Sequence, residues 1–367
     1  MAGREETIAA EAAALGFPLI GCAPLVPLRV GPFLRGWLAE GRAGEMRYLA
    51  ERTAERVDPR RAMPWARAVV SLAWPYRPPP PPPDDWRATL RGRIAAYALG
   101  EDYHDRLGEL LRALAGRLVA AFPGARFRPY VDTGPVLERE WAMHAGVGWI
   151  GKNTLVLHRA LGSYFFLAEL FTDLELDPVP LPADHCAGCT RCHAACPTGA
   201  LGPGYTMDPR RCIAYLTIEH RSAIPVALRP GLGNWIFGCD VCQEACPWNR
   251  DAGDPGPSEA LTPELPPLLA LDADAFRARF GRTAVSRAKR RGLLRNVAVV
   301  LGNTGNPDAI PALMRALADS EPLVRGHAAW ALGRLGGAPA RAAIDAARAH
   351  ETDAYAAAEM DAARAPL

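Results

Sequence analysis

The spacing of apolar residues predicts a mixed α and β region in the first part of the chain. Residues 107–122 carry leucines and other apolar side chains three and four positions apart, which predicts an amphipathic helix. Residues 66–76, 125–135 and 163–176 are apolar runs rich in strand-forming residues, and they predict strands. Helical and strand-like stretches therefore alternate over residues 1–176.

Other parts of the chain lack this periodicity. Six consecutive prolines at 78–83 predict an extended surface loop. Residues 180–250 are rich in turn-forming residues, and residues 252–268, AGDPGPSEALTPELPPL, are typical of a linker. We therefore expect a turn-rich second domain, followed by a linker.

The C-terminal part contains an internal repeat, in which residues 295–313 align with residues 326–344. The matched pairs are Leu301 and Leu332, Gly302 and Gly333, Gly305 and Gly336, Ala309 and Ala340, and Leu313 and Ile344. A helix-pair repeat of this length is typical of an α-solenoid of the HEAT type.

These patterns predict an α+β multidomain protein. We expect a mixed α/β domain at 1–176, a cysteine-rich domain at 177–265 and a HEAT-like domain at 266–367. The hydrophobic share of 49% and the charged share of 22% are ordinary for a globular protein. A net charge of +2 predicts no partner by itself, so only local charged patches are informative.

The N-terminal sequence MAGREETIAAEAAALGF lacks the apolar core of a secretory signal. No apolar run reaches the roughly 18 residues that a membrane span needs. We therefore expect a cytoplasmic protein without a membrane partner. Thiols stay reduced in that compartment, so the nine cysteines are expected to bind metal rather than form disulfides. Cys22 stands apart from the others, and we expect a small buried hydrophobic residue there.

The other eight cysteines form two blocks and one single residue. The block CAGCTRCHAACP at 186–197 has the bacterial ferredoxin spacing C-x2-C-x2-C-x3-C-P. The block GCDVCQEACP at 238–247 lacks one cysteine, and Cys212 can complete the set. In two-cluster ferredoxins the fourth cysteine of the run binds the other cluster. This crossing predicts one 4Fe–4S cluster on Cys186, Cys189, Cys192 and Cys246, and another on Cys196, Cys212, Cys239 and Cys242.

Two zinc sites are the alternative. Zinc motifs usually consist of separated C-x2-C pairs, whereas this chain has a tight triplet followed by C-P, and a near-repeat of it. Thiolates are also soft ligands that suit iron–sulfur clusters. Two adjacent clusters predict a path for electrons towards a reducible centre.

That centre is expected within the first 175 or so residues, which show no G-x-G-x-x-G after a strand. Polar residues stand out there in apolar or turn-like segments: Tyr97, Asp102, His104, Asp132, Lys152 and Asn153. Asp132 precedes Thr-Gly-Pro, so the residues alone fit an Asx-turn as well as a catalytic acid.

Motifs along nearly the whole chain resemble those of the epoxyqueuosine reductase family, in that family's order. They are RIAAYALGEDYHDRL, PYVDTGPVLERE, GVGWIGKNTLVL, the first cysteine block, CIAYLTIEHRSAIP, IFGCDVCQEACPWN and KRRGLLRNVAVVLGN. The resemblance implies reduction of the epoxide of epoxyqueuosine, in the tRNA anticodon loop, to queuosine. It also implies two 4Fe–4S clusters and a nitroreductase-like α/β domain that holds cobalamin.

The resemblance also implies roles for individual residues. Asp132 matches the family's proton donor, and a pocket with apolar walls would raise its pKa towards neutrality. The expected cobalamin contacts are Arg56, Tyr97, Asp132, Lys152 and Asn153. Electrons would come from a low-potential donor such as flavodoxin or a ferredoxin, and we expect a monomer.

The stretch DYHDRL at 102–107 is close to an Asp-x-His-x-x-Gly motif by which some cobalamin proteins supply a histidine to cobalt. Leu107 replaces the glycine, and the stretch continues into a helical pattern. We therefore expect no cobalt ligand from it, and interpret His104 as a pocket or capping residue.

Residues 282–296, RTAVSRAKRRGLLRN, are strongly basic and contain no acidic residue. Such a patch can neutralise RNA phosphates, although a solvated helix start is the simpler alternative. Its density and its position at the head of the solenoid favour RNA. The residues expected to bind tRNA are Lys289, Arg290, Arg291 and Arg295.

Two other functions compete with the reductase. A cobalamin-dependent reductive dehalogenase would use the same cofactors. Such enzymes usually carry a twin-arginine export signal, which this sequence does not show. A dehalogenase would also not need the basic patch or the helical repeat. A non-catalytic electron-transfer subunit predicts iron without cobalt, and it does not explain the polar residues of the large N-terminal domain.

Overall fold

The structure, a computed structural model, describes residues 3–76, 85–250 and 262–364. The helices are α1 (Arg4–Ala14), α2 (Gly31–Ala39), α3 (Thr53–Val57), α4 (Trp86–Thr89), α5 (Tyr103–Ala121), α6 (Glu138–His144), α7 (Arg191–Ala195), α8 (Ile213–Ile218), α9 (Val241–Glu244), α10 (Leu265–Leu269), α11 (Ala273–Phe280), α12 (Lys289–Thr304), α13 (Ile310–Ala316), α14 (Pro322–Leu335), α15 (Ala338–Arg348) and α16 (Ala354–Arg364). The predicted proline loop at 78–83 lies outside the described residues.

The strands are short outside one main sheet. They are β1 (Leu19–Pro24), β2 (Ala68–Pro75), β3 (Arg93–Ile94), β4 (Phe127–Tyr130), β5 (Trp149–Ile150), β6 (Val156–Leu157), β7 (Phe165–Thr172), β8 (Leu201–Gly202), β9 (Thr206–Met207) and β10 (Trp235–Phe237). Short 3₁₀ turns occur at Arg47–Leu49, Pro59–Arg61, Ala96–Ala98, Pro209–Arg211, Val226–Leu228, Pro230–Leu232, Pro247–Asn249, Ala284–Ala288 and Pro307–Ala309.

The main sheet has the strand order β1-β2-β7-β4, and all its neighbouring pairs are antiparallel. Helices α1 and α5 pack on one face and α6 on the other. Covering both faces explains why β2 is apolar along both of its sides, with Ser71 as the polar exception. The predicted helix and the three predicted strands are confirmed as α5, β2, β4 and β7.

The cysteine region consists of short helices and turns around a small apolar core. That core includes Ile213, Leu216, Ile224, Leu232 and Trp235. A core of this size buries little apolar surface for a segment as long as the cysteine region. The segment is therefore expected to need bound metal centres for stability.

The predicted repeat is confirmed as two helix pairs, α12 with α13 and α14 with α15, and α16 packs against α14. The linker prediction is wrong at its C-terminal end. Leu265, Leu268 and Leu269 lie in α10 and are buried in the solenoid core, because this short helix packs against α12. Residues 252–261 of the predicted linker lie outside the described residues.

One N-terminal segment crosses the predicted domain boundaries. Trp86, Leu90 and Ile94 are buried in the same core as α12 and α14. Strand β3, which contains Ile94, also pairs in parallel with β10 of the cysteine region. The first domain therefore contributes a segment that packs between the other two.

Within the described residues, no helix has both the length and the apolar character needed to span a membrane.

Candidate active site

An open cleft lies between the main sheet and the cysteine region, with an empty volume of about 1190 Å³. Its walls are mainly aromatic and apolar on the sheet side and carry thiols on the opposite side. The lining includes Tyr76, Tyr97, Tyr103, Phe165 and Phe166 on the first side, and Cys212, Cys239 and Cys242 on the second. This arrangement places an apolar cavity directly beside three predicted cluster ligands.

Asp132 lies in the turn between β4 and α6 and lines the cleft. Its backbone is left-handed, with φ of +54°, which is unusual for a residue with a side chain. Two residues later the turn approaches Tyr130 so closely that a Cβ on Gly134 would lie 2.2 Å from the Tyr130 ring. The turn therefore needs glycine at 134, and it holds Asp132 in a strained conformation of the kind found at functional sites.

Helix α5 supplies both groups that hold the Asp132 carboxylate. The Tyr103 hydroxyl donates to Asp132 Oδ2 over 3.1 Å, and His104 Nε2 lies 3.3 Å from the same oxygen. On the other side of the ring, His104 Nδ1 lies 2.6 Å from Asp102 Oδ1. His104 is therefore a pocket residue that joins two carboxylates, while Asp102 caps α5 by accepting the His104 N–H.

The electrostatics of Asp132 differ from the prediction. The hydrogen bond with His104 lowers the pKa of Asp132, and this effect outweighs its burial. Burial disfavours the charged form of His104, yet its bonds with Asp132 and Asp102 raise the pKa of His104 to about 9. In this structure the pKa of Asp132 is thus lowered rather than raised, and the raised pKa belongs to His104.

A pair of carboxyl groups beside Asp132 was missed by the sequence analysis. Glu138 of α6 lines the cleft, and its Oε1 accepts the Asp132 N–H over 2.5 Å. Glu169 of β7 is fully buried next to Glu138, with Ser71 Oγ at 3.5 Å. Burial and the Asp132 charge raise the pKa of Glu138 to about 7. Burial and the Glu138 carboxyl group raise the pKa of Glu169 well above its usual range. A glutamate within the apolar run of β7 was the available sequence signal.

The residues expected to contact cobalamin separate into two groups. Tyr97 and Asn153 line the cleft with Asp132. Lys152 instead donates from Nζ to the carbonyl oxygens of Ala187 and Cys189, over 2.5 and 3.0 Å. Lys152 therefore holds the loop of the first cysteine block, outside the cleft.

Arg56 also lies away from the lining of the cleft. Its guanidinium donates to the carbonyl oxygens of Gly134 and Tyr48, over 3.3 and 3.2 Å. Arg56 thus anchors the turn that carries Asp132. The predictions of direct cobalamin contacts for Arg56 and Lys152 are not supported by these positions.

The first predicted set of cluster ligands converges in space. Cys186, Cys189, Cys192 and Cys246 all line one recess, next to Lys152 and Trp248. Burial raises the pKa of Cys246, and the three other thiols raise it further. Crowded thiols of this kind ionise readily only when a metal centre supplies positive charge.

The second predicted set also converges, at the wall of the cleft. Burial and the neighbouring thiols Cys212 and Cys242 raise the pKa of Cys239. Burial and the nearby Cys196 thiol raise the pKa of Cys212. The Ala200 N–H donates to Cys196 Sγ over 3.3 Å, a bond that stabilises a thiolate. Cys246 therefore lies with the first block and Cys196 lies near Cys212, and the assignment of each cysteine to a cluster stays a prediction.

Cys22 is separate from both sets. It is only 5% exposed and packs in the core beneath the main sheet. Burial raises the pKa of its thiol to about 12. The prediction of a small buried hydrophobic residue is confirmed.

The predicted tRNA-binding residues differ in exposure. Lys289 and Arg291 are exposed, whereas Arg290 is half-buried and forms a bidentate ion pair with Asp319. Arg295 is fully buried and donates to the carbonyl oxygens of Leu216, His220 and Ser222. Including Arg295 in an RNA-binding surface was therefore wrong, because α12 turns it towards the cysteine region.

A cleft with a carboxylate beside a double set of four thiolates defines an iron–sulfur oxidoreductase, and the comparisons specify which one. Family models match for "4Fe-4S double cluster binding domain" at residues 185–249, "Epoxyqueuosine reductase QueG, DUF1730" at 56–133 and "HEAT repeats" at 284–363. The chain is 43% identical over 336 residues to the epoxyqueuosine reductase of Pseudomonas aeruginosa, covering 88% of this chain and 92% of that one. With the Escherichia coli epoxyqueuosine reductase it shares 39% identity, covering 87% and 86%. The chain belongs to the epoxyqueuosine reductase family.

Solved structures agree over almost the whole chain. Epoxyqueuosine reductase from Bacillus subtilis, with an aspartate catalytic loop swung out of the active site, matches with a TM-score of 0.90 and 29% identity over 98% of both chains. An epoxyqueuosine reductase structure with an epoxyqueuosine-modified tRNA-Tyr stem loop matches with a TM-score of 0.90 and 30% identity, covering 98% of this chain and 97% of that one.

The double-cluster match also decides between iron and zinc. It spans all eight clustered cysteines, including Cys212 between the two blocks. The cofactors are therefore two 4Fe–4S clusters rather than two zinc ions.

Proposed function

We propose that this chain reduces the epoxide of epoxyqueuosine in the tRNA anticodon loop to the alkene of queuosine. One observation carries the proposal: the cleft is lined on one side by Asp132 and on the other by three thiols of the second cluster. Electrons and protons can therefore reach the same bound group from opposite walls.

The reaction defines what the cleft must supply. Converting an epoxide to an alkene breaks two C–O bonds and releases the oxygen as water, which consumes two electrons and two protons. The clusters transfer electrons singly, so a centre that accumulates two of them is required beside the substrate.

The cleft fits cobalamin as that centre. Its volume and aromatic walls suit a large, flat ring. Within the described part of the chain, the Nδ2 of buried Asn153 has no hydrogen-bond partner, and it lines the same cleft. Tyr97 and Asn153 would hold the cofactor, and Asp132 would face its reactive side. When bound, cobalamin would supply a strongly reducing cobalt centre that delivers the electron pair.

The two clusters have distinct positions in this scheme. The Cys186 set lies beside the exposed loop at Ala187 and Gly188, whereas the Cys212 set borders the cleft. We therefore infer that a low-potential donor such as flavodoxin or a ferredoxin reduces the first cluster, and that the second passes electrons into the cleft. The mixed α/β part corresponds to the nitroreductase-like domain of the family.

Asp132 acts as the acid for the departing oxygen. The proton that His104 holds can pass to Asp132 as negative charge develops on the epoxide oxygen, over the 3.3 Å contact between them. Tyr103 positions the turn by donating to the Asp132 carboxylate. Arg56 positions it by donating to the Gly134 carbonyl oxygen.

The test is turnover by the reconstituted enzyme. We expect purified chain to take up about eight iron atoms and one cobalamin, and to convert epoxyqueuosine in tRNA. Asp132→Asn keeps the size of the side chain but removes the acid, so turnover should fall about 100-fold or more with both cofactors retained. Asp308→Asn, on the exposed start of the solenoid, is the matched control and should leave turnover unchanged. Iron uptake without cobalamin binding would contradict the proposal.

A further inference from the structure

The reaction consumes two protons, and the His104–Asp132 pair stores one. We propose that Glu138 and Glu169 form a carboxyl pair that shares a second proton, and that Glu138 delivers it into the cleft. This inference rests on the proposed function. It assigns Glu138 as a second catalytic acid, and Glu169 as a positioning residue that acts through it.

The geometry places this pair between the core and the reacting groups. Glu138 lines the cleft and accepts the Asp132 N–H through Oε1. Glu169 stands behind it in the middle of β7, fully buried, with its carboxyl group against that of Glu138 and Ser71 Oγ 3.5 Å away. Among the described residues, Glu169 Oε2 has no hydrogen-bond partner. A fully buried carboxyl group with an unpaired oxygen, placed beside a second carboxyl group, favours a bound proton over two adjacent negative charges.

The charges around the pair keep that proton in place. Burial and the negative charge of Asp132 disfavour ionisation of Glu138, whereas hydrogen bonding with Glu169 and the Arg139 cation favour it. For Glu169, burial and the charges of Glu138 and Asp132 all disfavour ionisation, so the shared proton resides mainly on that side of the pair. Tyr103 also faces Glu138 across the cleft. No lysine, arginine or histidine among the described residues forms an ion pair with either glutamate. With its pKa near 7, Glu138 can both hold and release a proton at neutral pH.

The tyrosines of the cleft are poor sources of this proton. Burial raises the pKa of Tyr76, Tyr97 and Tyr103 well above the ordinary range of tyrosine, so these phenols are poor acids. The chemistry then balances. The first proton, from His104 through Asp132, goes to the epoxide oxygen as the first C–O bond breaks. The second, from Glu138, converts the resulting hydroxyl to water as the second C–O bond breaks and the electron pair forms the alkene.

Glu138→Gln is the direct test, because a glutamine can still accept the Asp132 N–H but cannot give a proton. Since the acid must be protonated to act, wild-type turnover should fall as pH rises through about 7. In Glu138→Gln we expect turnover reduced about 100-fold, and that limb of the pH profile abolished. Cluster content and tRNA affinity should be unchanged.

A second measurement does not depend on turnover. Infrared difference spectra of the holoenzyme in H₂O and D₂O should show the carbonyl stretch of a protonated carboxylic acid at neutral pH. Both Glu138→Gln and Glu169→Gln should lose that band, and Glu169→Gln should also shift the pH limb. Glu140→Gln, which removes a neighbouring carboxylate on the same helix but outside the cleft, should change neither.

The outcomes separate this inference from the proposed function. If Asp132→Asn abolishes turnover but Glu138→Gln retains the wild-type rate and pH limb, the second proton has another source and the inference is wrong. If the infrared band is absent from the wild type, the pair holds no proton and the inference fails in the same way. If the wild-type holoenzyme does not reduce epoxyqueuosine in tRNA at all, the proposed function itself is wrong.

Discussion

At the scale of single residues, hydrogen bonds in the site reverse the effect that burial alone would have on the pKa of Asp132. Burial next to apolar groups would raise the pKa of Asp132, but the His104 ring lowers it. Asp102 on the far side holds that ring in place. The proton is thus stored one residue away from the acid that uses it.

We expect His104→Gln to reverse the shift at Asp132. Without the imidazolium, burial dominates, and the pKa of Asp132 should rise by roughly one to three units. Infrared titration of the carboxyl band, with Asp132→Asn identifying the signal, measures this rise directly. Asp102→Asn keeps the His104 ring but loosens its orientation, so the pKa of Asp132 should rise by less than in His104→Gln. A midpoint for Asp132 that does not move in His104→Gln would show that the histidine does not control it.

The sequence could predict the residues whose spacing carries the information. The cysteine spacing predicted both ligand sets, whereas the role of Asp132 came from the family resemblance, because the VDTGP segment alone fits an Asx-turn equally well. Glu138 was unrecognisable because its partner Glu169 is distant along the chain, and only the packing of α6 on β7 brings them together. Lys152 was misassigned because its side chain points into the loop of the first cysteine block rather than into the cleft.

At the scale of elements, the repeat explains two matched glycines. A Cβ on Gly302 of α12 would lie 2.8 Å from the Cβ of Ala331 in α14. A Cβ on Gly333 of α14 would lie 2.9 Å from the Cβ of Ala363 in α16. Each repeat therefore uses its glycine where consecutive helices approach most closely, which is why the Leu-Gly pairs align at this shift.

Gly302→Ala should consequently destabilise the solenoid. The added methyl group meets the Ala331 backbone, so the helices must separate, at a cost of about 1–3 kcal/mol in the free energy of unfolding. Gly292→Ala in the same helix is the matched control, because its Cβ would meet only Ala288 at an ordinary 3.7 Å. The control should gain up to about 1 kcal/mol from helix propensity. Thermal unfolding of both variants measures the difference, and equal melting temperatures would refute the packing argument.

The course of α12 explains the error at Arg295. Every residue from 292 to 302 is buried, because this part of the helix runs through the interior. Lys289 and Arg291 lie in the first turn and are exposed. Arg291 and Arg295 are four residues apart on one side of the helix, so position along α12 rather than helix face separates the exposed basic residues from the buried one.

At the scale of the whole molecule, the three parts are joined by buried polar contacts. Arg295 and Asn296 of α12 bond to carbonyl oxygens of the cysteine region, from Leu216 to Ile236. Arg229 forms a buried bidentate ion pair with Glu359 of α16. The division at 176 and 265 stays a prediction, and a linear reading could not reveal that residues 86–98 pack between the other parts. Long-range packing of this kind leaves no local pattern in the sequence.

The exposed cations at the start of α12 give the last prediction. If Lys289 and Arg291 each contact a phosphate of the bound tRNA, replacing both with alanine should weaken binding. The slope of log affinity against log salt should fall in magnitude by about 1.4 to 1.8. Turnover at saturating tRNA should be unchanged, because the cleft is intact. Arg315→Ala with Arg341→Ala removes the same charge from other exposed positions of the solenoid and should have a smaller effect. Binding titrations at several salt concentrations decide the matter: equal slopes for the two double variants would mean that only overall charge attracts the tRNA.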